Sequence, residues 1–245
     1  MDRLIYTAMS GAKALGQRQE ALSNNLANAN TTGFRADVMA FRAVPIQQQG
    51  SASTRVFALE ASAGFDGTAG ANQQTGNPLD VALTGRGYLT VQALDGQEAS
   101  TRNGALQVGS DGTLQTRTGL PLVGEGGPLV IPQGATVTIG PDGTVSAKVG
   151  NQAATQIGRL KLTADPVGEL RKSADGLLRR VDAQDSVADP TVRITQGALE
   201  GSNVNVVEAM VGMISLSRQF EMQMRMLQNA EQNEQRAQTL LGTGG

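Results

Sequence analysis

The chain has 245 residues, 39% of them hydrophobic, enough for one sizeable core or two small domains. It contains no His, Cys or Trp, which excludes His/Cys metal clusters and Ser-His-Asp or Cys-His nucleophiles and leaves only carboxylate or lysine chemistry open. A net charge of −2 gives no basic footprint for nucleic acid, and no apolar run reaches the length of a membrane span, so neither nucleic-acid binding nor direct membrane insertion is expected.

The opening Met1-Asp2-Arg3-Leu4-Ile5-Tyr6 lacks a continuous apolar stretch and a small-residue cleavage site, so no cleaved secretory signal is expected. Residues 1–29 read as helix. With Ile5, Ala12, Gln19 and Leu26 at heptad position a, Ala8, Leu15, Leu22 and Ala29 fall at d, and every one of these except Gln19 is apolar. The stripe stops at Asn30-Thr31-Thr32-Gly33, a turn or C-cap signature. Residues 35–75 are rich in Gln, Ala, Ser and Gly, with Gln47-Gln48-Gln49-Gly50, and predict an extended or flexible connection.

The middle reads as β. Asp-Gly pairs recur at Asp66-Gly67, Asp95-Gly96, Asp111-Gly112, Asp142-Gly143 and Asp175-Gly176, and Asp-Gly between β-prone runs favours a hairpin because both residues tolerate positive φ. Alternating runs at Gly87–Ala93, Ala135–Ile139 and Gly158–Thr163 flank them. A compact antiparallel β domain is expected over 76–200. From about Val204 to Leu241 the helical pattern returns, with Met210, Ser217 and Met224 at a and Val206, Met213, Phe220 and Leu227 at d. Ser202, Asn203 and Asn205 are alternative caps for its start.

Both terminal stripes need partners, because a short isolated helix is marginal in water. The expected fold is α+β. Terminal helices, 1–34 and 201–245, pair in a coiled-coil-like bundle; 35–75 connects, and the β domain of 76–200 is inserted between them.

Three stretches carry a family resemblance. Leu22-Ser23-Asn24-Asn25-Leu26-Ala27-Asn28-Ala29-Asn30-Thr31-Thr32-Gly33-Phe34-Arg35 resembles the N-terminal signature of bacterial flagellar rod and hook proteins, with Met9-Ser10-Gly11-Ala12 upstream. The middle run Thr75-Gly76-Asn77-Pro78-Leu79-Asp80-Val81-Ala82-Leu83-Thr84-Gly85-Arg86-Gly87-Tyr88-Leu89 resembles the start of that family's β domain, continued by Thr101-Arg102-Asn103-Gly104. Gln196-Gly197-Ala198-Leu199-Glu200-Gly201-Ser202-Asn203-Val204-Asn205-Val206-Val207-Glu208-Ala209-Met210 resembles its C-terminal motif. The opening residues resemble the proximal rod branch more than the distal one. Tyr88-Leu89 stands where a Phe pair is frequent, and Asn103 where Asp is usual.

The resemblance implies a structural subunit of the basal-body rod, built with copies of itself and other rod proteins into the periplasmic shaft that carries torque from motor to hook. It implies export by the flagellar type III apparatus without signal cleavage, and no catalytic residues, cofactor or metal. The assembly residues it suggests are Ile5, Leu15, Leu22, Asn24, Asn25, Leu26, Asn28, Asn30, Gly33 and Phe34 at one end. At the other end they are Ser202, Asn203, Asn205, Val206, Met210, Met213, Phe220, Met224 and Leu227.

Blander readings stand beside these. The Asn24/Asn25/Asn28/Asn30 cluster serves either subunit contacts or a polar helix end, and the stripe Met210, Met213, Met222, Met224, Met226 suits core and interface alike. Gly85-Arg86-Gly87 lacks the third glycine and following helix of a nucleotide loop. Two rival functions remain: a carboxylate-dependent glycosidase with helical termini, which needs a concave acidic cleft, and a secreted adhesin or filament protein unrelated to flagella.

Overall fold

A computed structural model describes residues 2–45 and 56–242, with side chains over 9–42, 64–229 and 231–232. The chain divides into two compact units: 1–27, 37–64 and 205–245 form the first, and 28–36 with 65–204 form the second.

In the first unit, α1 (Asp2–Ala27) and α2 (Val206–Gly242) run in opposite directions. A Cβ added at Gly212 would lie 3.0 Å from Leu22 Cδ1, and one at Gly11 would lie 3.2 Å from Gln223 Nε2, so small residues let the helices approach closely. Ser23 Oγ donates to Met213 Sδ at 3.7 Å. Helix α1 stops where Thr31 N–H donates to Asn28 O (3.1 Å). Of the three candidate caps, Asn205 starts α2: its Oδ1 accepts Glu208 N–H at 3.2 Å.

The seam on α2 lies one residue from the expected one. Ala209 and Leu216 are buried and Met213, Gln223 and Leu227 half-buried, whereas Met210, Ser217 and Met224 are exposed. Of the d positions, Met213 and Leu227 are half-buried and Val206 and Phe220 exposed. Bulk misled the heptad count, because Ala209 and Gly212 carry too little apolar area to register in a sequence pattern yet admit the partner helix.

Within 35–75 the described residues are extended, one of the two expected states, and they are also paired, which composition does not predict. Strands Asp37–Pro45 and Val56–Phe65 pair in a two-stranded sheet. The glutamine run Gln47–Gly50 lies outside the described residues.

The second unit is antiparallel β. A five-stranded sheet orders Leu162–Thr163, Tyr88–Gln92, Glu98–Thr101, Leu178–Arg180 and Leu170–Lys172. A three-stranded sheet holds Ala135–Ile139, Thr144–Val149 and Thr155–Arg159. Two short ladders anchor its C-terminal end: Arg193–Gln196 on Val81–Thr84, and Ala198–Glu200 on Asn72–Gln74. Leu89, Val91, Leu114, Leu122, Val145 and Leu160 are nearly or wholly sealed from solvent in one core.

Four of the five Asp-Gly pairs make the expected turns, with φ between +78° and +86° at Gly96, Gly112, Gly143 and Gly176. Asp66-Gly67 does not. It follows the strand Val56–Phe65, and a Cβ at Gly67 would meet Val167 Cγ2 at 2.4 Å, so close packing selects that glycine. The run Gly158–Thr163 is also not one strand: it splits after Arg159, and its two halves join different sheets.

Candidate functional site

The described side chains most tightly organised by polar contacts lie where two segments of the second unit, 28–36 and 197–204, meet on the β sheets. Glu200, at the end of its ladder, is 1% exposed. Its Oε1 accepts Arg35 Nη2 at 2.6 Å and Gly70 N–H at 2.9 Å, and its Oε2 accepts Arg102 Nη1 at 2.8 Å. Arg102 also donates to the carbonyl oxygens of Leu83 and Gly85 and lies over the Tyr88 ring, 5.3 Å from its centroid. Burial lowers the Arg102 pKa and raises that of the Tyr88 hydroxyl, while Glu200 opposes the first shift and Arg102 the second.

Two guanidinium groups and one carboxylate thus share a sealed site with an excess of one positive charge. Among the described residues, Arg35 Nε and Nη1 and Arg102 Nε meet no hydrogen-bond acceptor. A buried triad of this kind is weak as net stabilisation, but removal of its single anion strands two cations and is strongly destabilising.

Backbone contacts surround the triad. Gly33 N–H donates to Glu200 O (2.8 Å), and Asn203 N–H to Phe34 O (3.4 Å). Asn203 Oδ1 accepts Ala36 N–H at 2.8 Å, and its Nδ2 donates to Asp66 O at 3.0 Å and Thr68 O at 3.1 Å, so one amide ties three segments. Lys172 Nζ donates to Arg35 O (2.9 Å) and sits 3.8 Å from the Phe34 ring centroid. Gly33 is required twice over: its φ is +70°, and a Cβ there would lie 2.3 Å from Arg102 C.

Of the residues singled out from sequence, Gly33, Phe34 and Asn203 gather here, with Ser202 Oγ accepting Val204 N–H beside them. Asn24 and Asn25 instead serve the first unit: Asn25 brackets both backbone groups of Asp37 (2.7 and 2.9 Å), and Asn24 Nδ2 donates to Asp37 Oδ2 at 2.5 Å. Asn28 Oδ1 accepts Thr31 Oγ1, and Asn30 is exposed. Leu15, Leu22 and Leu26 are half-buried on α1, and the Ile5 side chain lies outside the described residues. The sequence reading gave no role to Arg35, Arg102 or Glu200. The available signal was that each lies within one of the stretches quoted above, but nothing in sequence pairs charges 98 and 165 residues apart.

The second unit also carries a groove of about 560 Å³, lined by Gln92, Gln97, Glu98, Arg179, Arg180 and Asp185 among others. Lys161 holds Glu98 at 2.5 Å, and Asp95 and Asp175 hold Arg179. Its charges are largely engaged in structural pairs, unlike the free acid and base of a glycosidase cleft.

Three family descriptions match the chain: Flagella basal body rod protein over residues 5–35, Flagellar hook protein FlgE/F/G D1 domain over 82–147, and Flagellar basal body rod FlgEFG protein C-terminal over 195–240. The flagellar basal-body rod protein FlgF of Salmonella typhimurium is 47% identical over 250 residues, covering 98% of this chain and 99% of that protein. FlgF of Escherichia coli is 44% identical with the same coverage. The rod protein FlgG of Agrobacterium fabrum is 30% identical over 94% of this chain and 96% of its own length.

Proposed function

Because the chain belongs to the flagellar basal-body rod protein family and is most like its FlgF members, we propose that it is a structural subunit of the proximal rod, polymerising with itself and other rod proteins into the periplasmic shaft. Its work is mechanical: it transmits torque and catalyses nothing. In this reading the chain leaves the cytoplasm through the flagellar export apparatus without losing a signal peptide, and α1 and α2 form a coiled-coil-like pair within a tube of such pairs.

One observation carries the proposal of assembly through the helices. On α2, Val207, Met210, Val211 and Ile214 stand at i, i+3, i+4 and i+7, on the side turned away from Ala209 and Leu216. They are 70%, 48%, 62% and 57% exposed. An apolar stripe on both sides of one helix suits a subunit that is covered twice, once by its own α1 and once by a neighbour.

The test is the pair of substitutions Val211→Asp and Ile214→Asp in cells. Both sites are solvated in the isolated chain, so the protein should accumulate and keep its circular dichroism. It should be missing from purified basal bodies, and the cells should not swim. Incorporation at the parental level would remove α2 from the assembly surface.

A further inference from the structure

We infer that the two segments meeting at Glu200 seat in a fixed order: the C-terminal one, 197–204, docks on the sheets by itself, and the N-terminal one, 28–36, docks only onto it. The two sets of contacts are unequal in kind. The C-terminal segment has its own set of backbone bonds to the strands and turns of the β unit, independent of the N-terminal segment. Ala198–Glu200 pairs with Asn72–Gln74, Gly197 N–H donates to Asp80 O at 2.8 Å, and Gly201 N–H to Ala71 O at 2.9 Å.

The N-terminal segment has most of its partners on the C-terminal one. Gly33 N–H needs Glu200 O, Phe34 O receives Asn203 N–H, Ala36 N–H needs Asn203 Oδ1, and the Arg35 side chain needs the Glu200 carboxylate. Its contacts elsewhere, from Lys172 Nζ to Arg35 O and from Asp66 N–H to Ala36 O, leave the charge of Arg35 uncompensated.

Charge fixes the direction of this dependence. Without Glu200 in place, seating Arg35 would bury a second guanidinium beside Arg102 with no anion between them. Without Arg35, Arg102 and Glu200 remain a balanced pair and the C-terminal segment loses nothing it needs. Glu200 is a positioning residue for the N-terminal segment, and Arg35 has no reciprocal role.

Amide hydrogen exchange on the full-length chain tests the order. In Glu200→Gln, the Gly33 amide should exchange about a hundredfold faster or more, the effect of stranding a buried charge, while Gly197 and Gly201 stay slow. In Arg35→Met, Gly197 and Gly201 should exchange at the parental rate. A Gly33 amide that stays slow in Glu200→Gln overturns the inference, and so does fast exchange at Gly197 and Gly201 in Arg35→Met. If Glu200→Gln unfolds the whole unit, Asn203→Ala decides: it removes the clamp and no charge, and it should still release Gly33. Retained protection at Gly33 in that variant refutes the order.

Discussion

Replacing Gly33 by Ala tests how tightly the junction is built. Two effects add. An L-residue at φ +70° costs about 1–2 kcal/mol relative to glycine. The new Cβ would also sit 2.3 Å from Arg102 C and 2.4 Å from Arg102 O, where ordinary contact begins at 3.4 Å, so one backbone must retreat by about an ångström. Arg102 cannot retreat freely, because the same residue donates to Glu200 at 2.8 Å. Gly96→Ala isolates the first effect: its φ is +81°, and nothing lies within 4 Å of the added Cβ. The reduced freedom of the unfolded chain is common to both substitutions and cancels in the comparison. Gly96→Ala should therefore cost about 1 kcal/mol and Gly33→Ala about 3 kcal/mol or more. Urea unfolding followed by tyrosine fluorescence in a Tyr6→Phe background reads the second unit, since Tyr88 is then the chain's only tyrosine. Equal losses for the two variants would refute the close approach of Gly33 to Arg102.

Other outcomes follow from core packing and surface charge. Leu89→Ala, at a fully sealed site, should cost about 2–5 kcal/mol by calorimetry, whereas Leu94→Ala, 97% exposed, should change the midpoint little. Hydrogen bonds from the hydroxyl and amide of the following Thr113, Thr144 and Thr191 hold the carboxyls of Asp111, Asp142 and Asp189 below the usual range, and Arg180 holds Asp182 at about 2. Their folded pKa values are depressed, so their contribution is complete above the unfolded value of about 3.9 and disappears as pH falls through the folded values. The urea midpoint should thus decline on acidification from about pH 5 toward pH 2, and Asp142→Asn should flatten part of that slope.

The elements were largely legible, and their partners were not. Asp-Gly turns declare themselves because a left-handed φ restricts residue choice locally, and four of them were read correctly. The terminal helices were equally visible, but the exact face of α2 was not, since Gly212 contributes by the volume it lacks. The strands of 37–65 were hidden by a composition typical of connectors, and the split after Arg159 by an unbroken alternating pattern. At the junction, glycine and asparagine gave themselves away by backbone preference. Arg35, Arg102 and Glu200 did not, because a charged residue reads as solvated until the fold brings its counter-ion from a distant part of the chain.

The Asn203 clamp has a consequence for how such a chain can change. Asn203 Nδ2 lies 3.0 Å from Asp66 O, so the long excursion from 66 to 203 begins and ends at almost the same point in space. A domain with its two ends side by side behaves as a cassette in its host chain. Residues can be added to or removed from its distal turns while the spacing offered to the flanking segments stays that of a single side-chain amide. Variation in the length of this unit is thereby uncoupled from the geometry of its attachment, and a lineage can remodel the one without renegotiating the other.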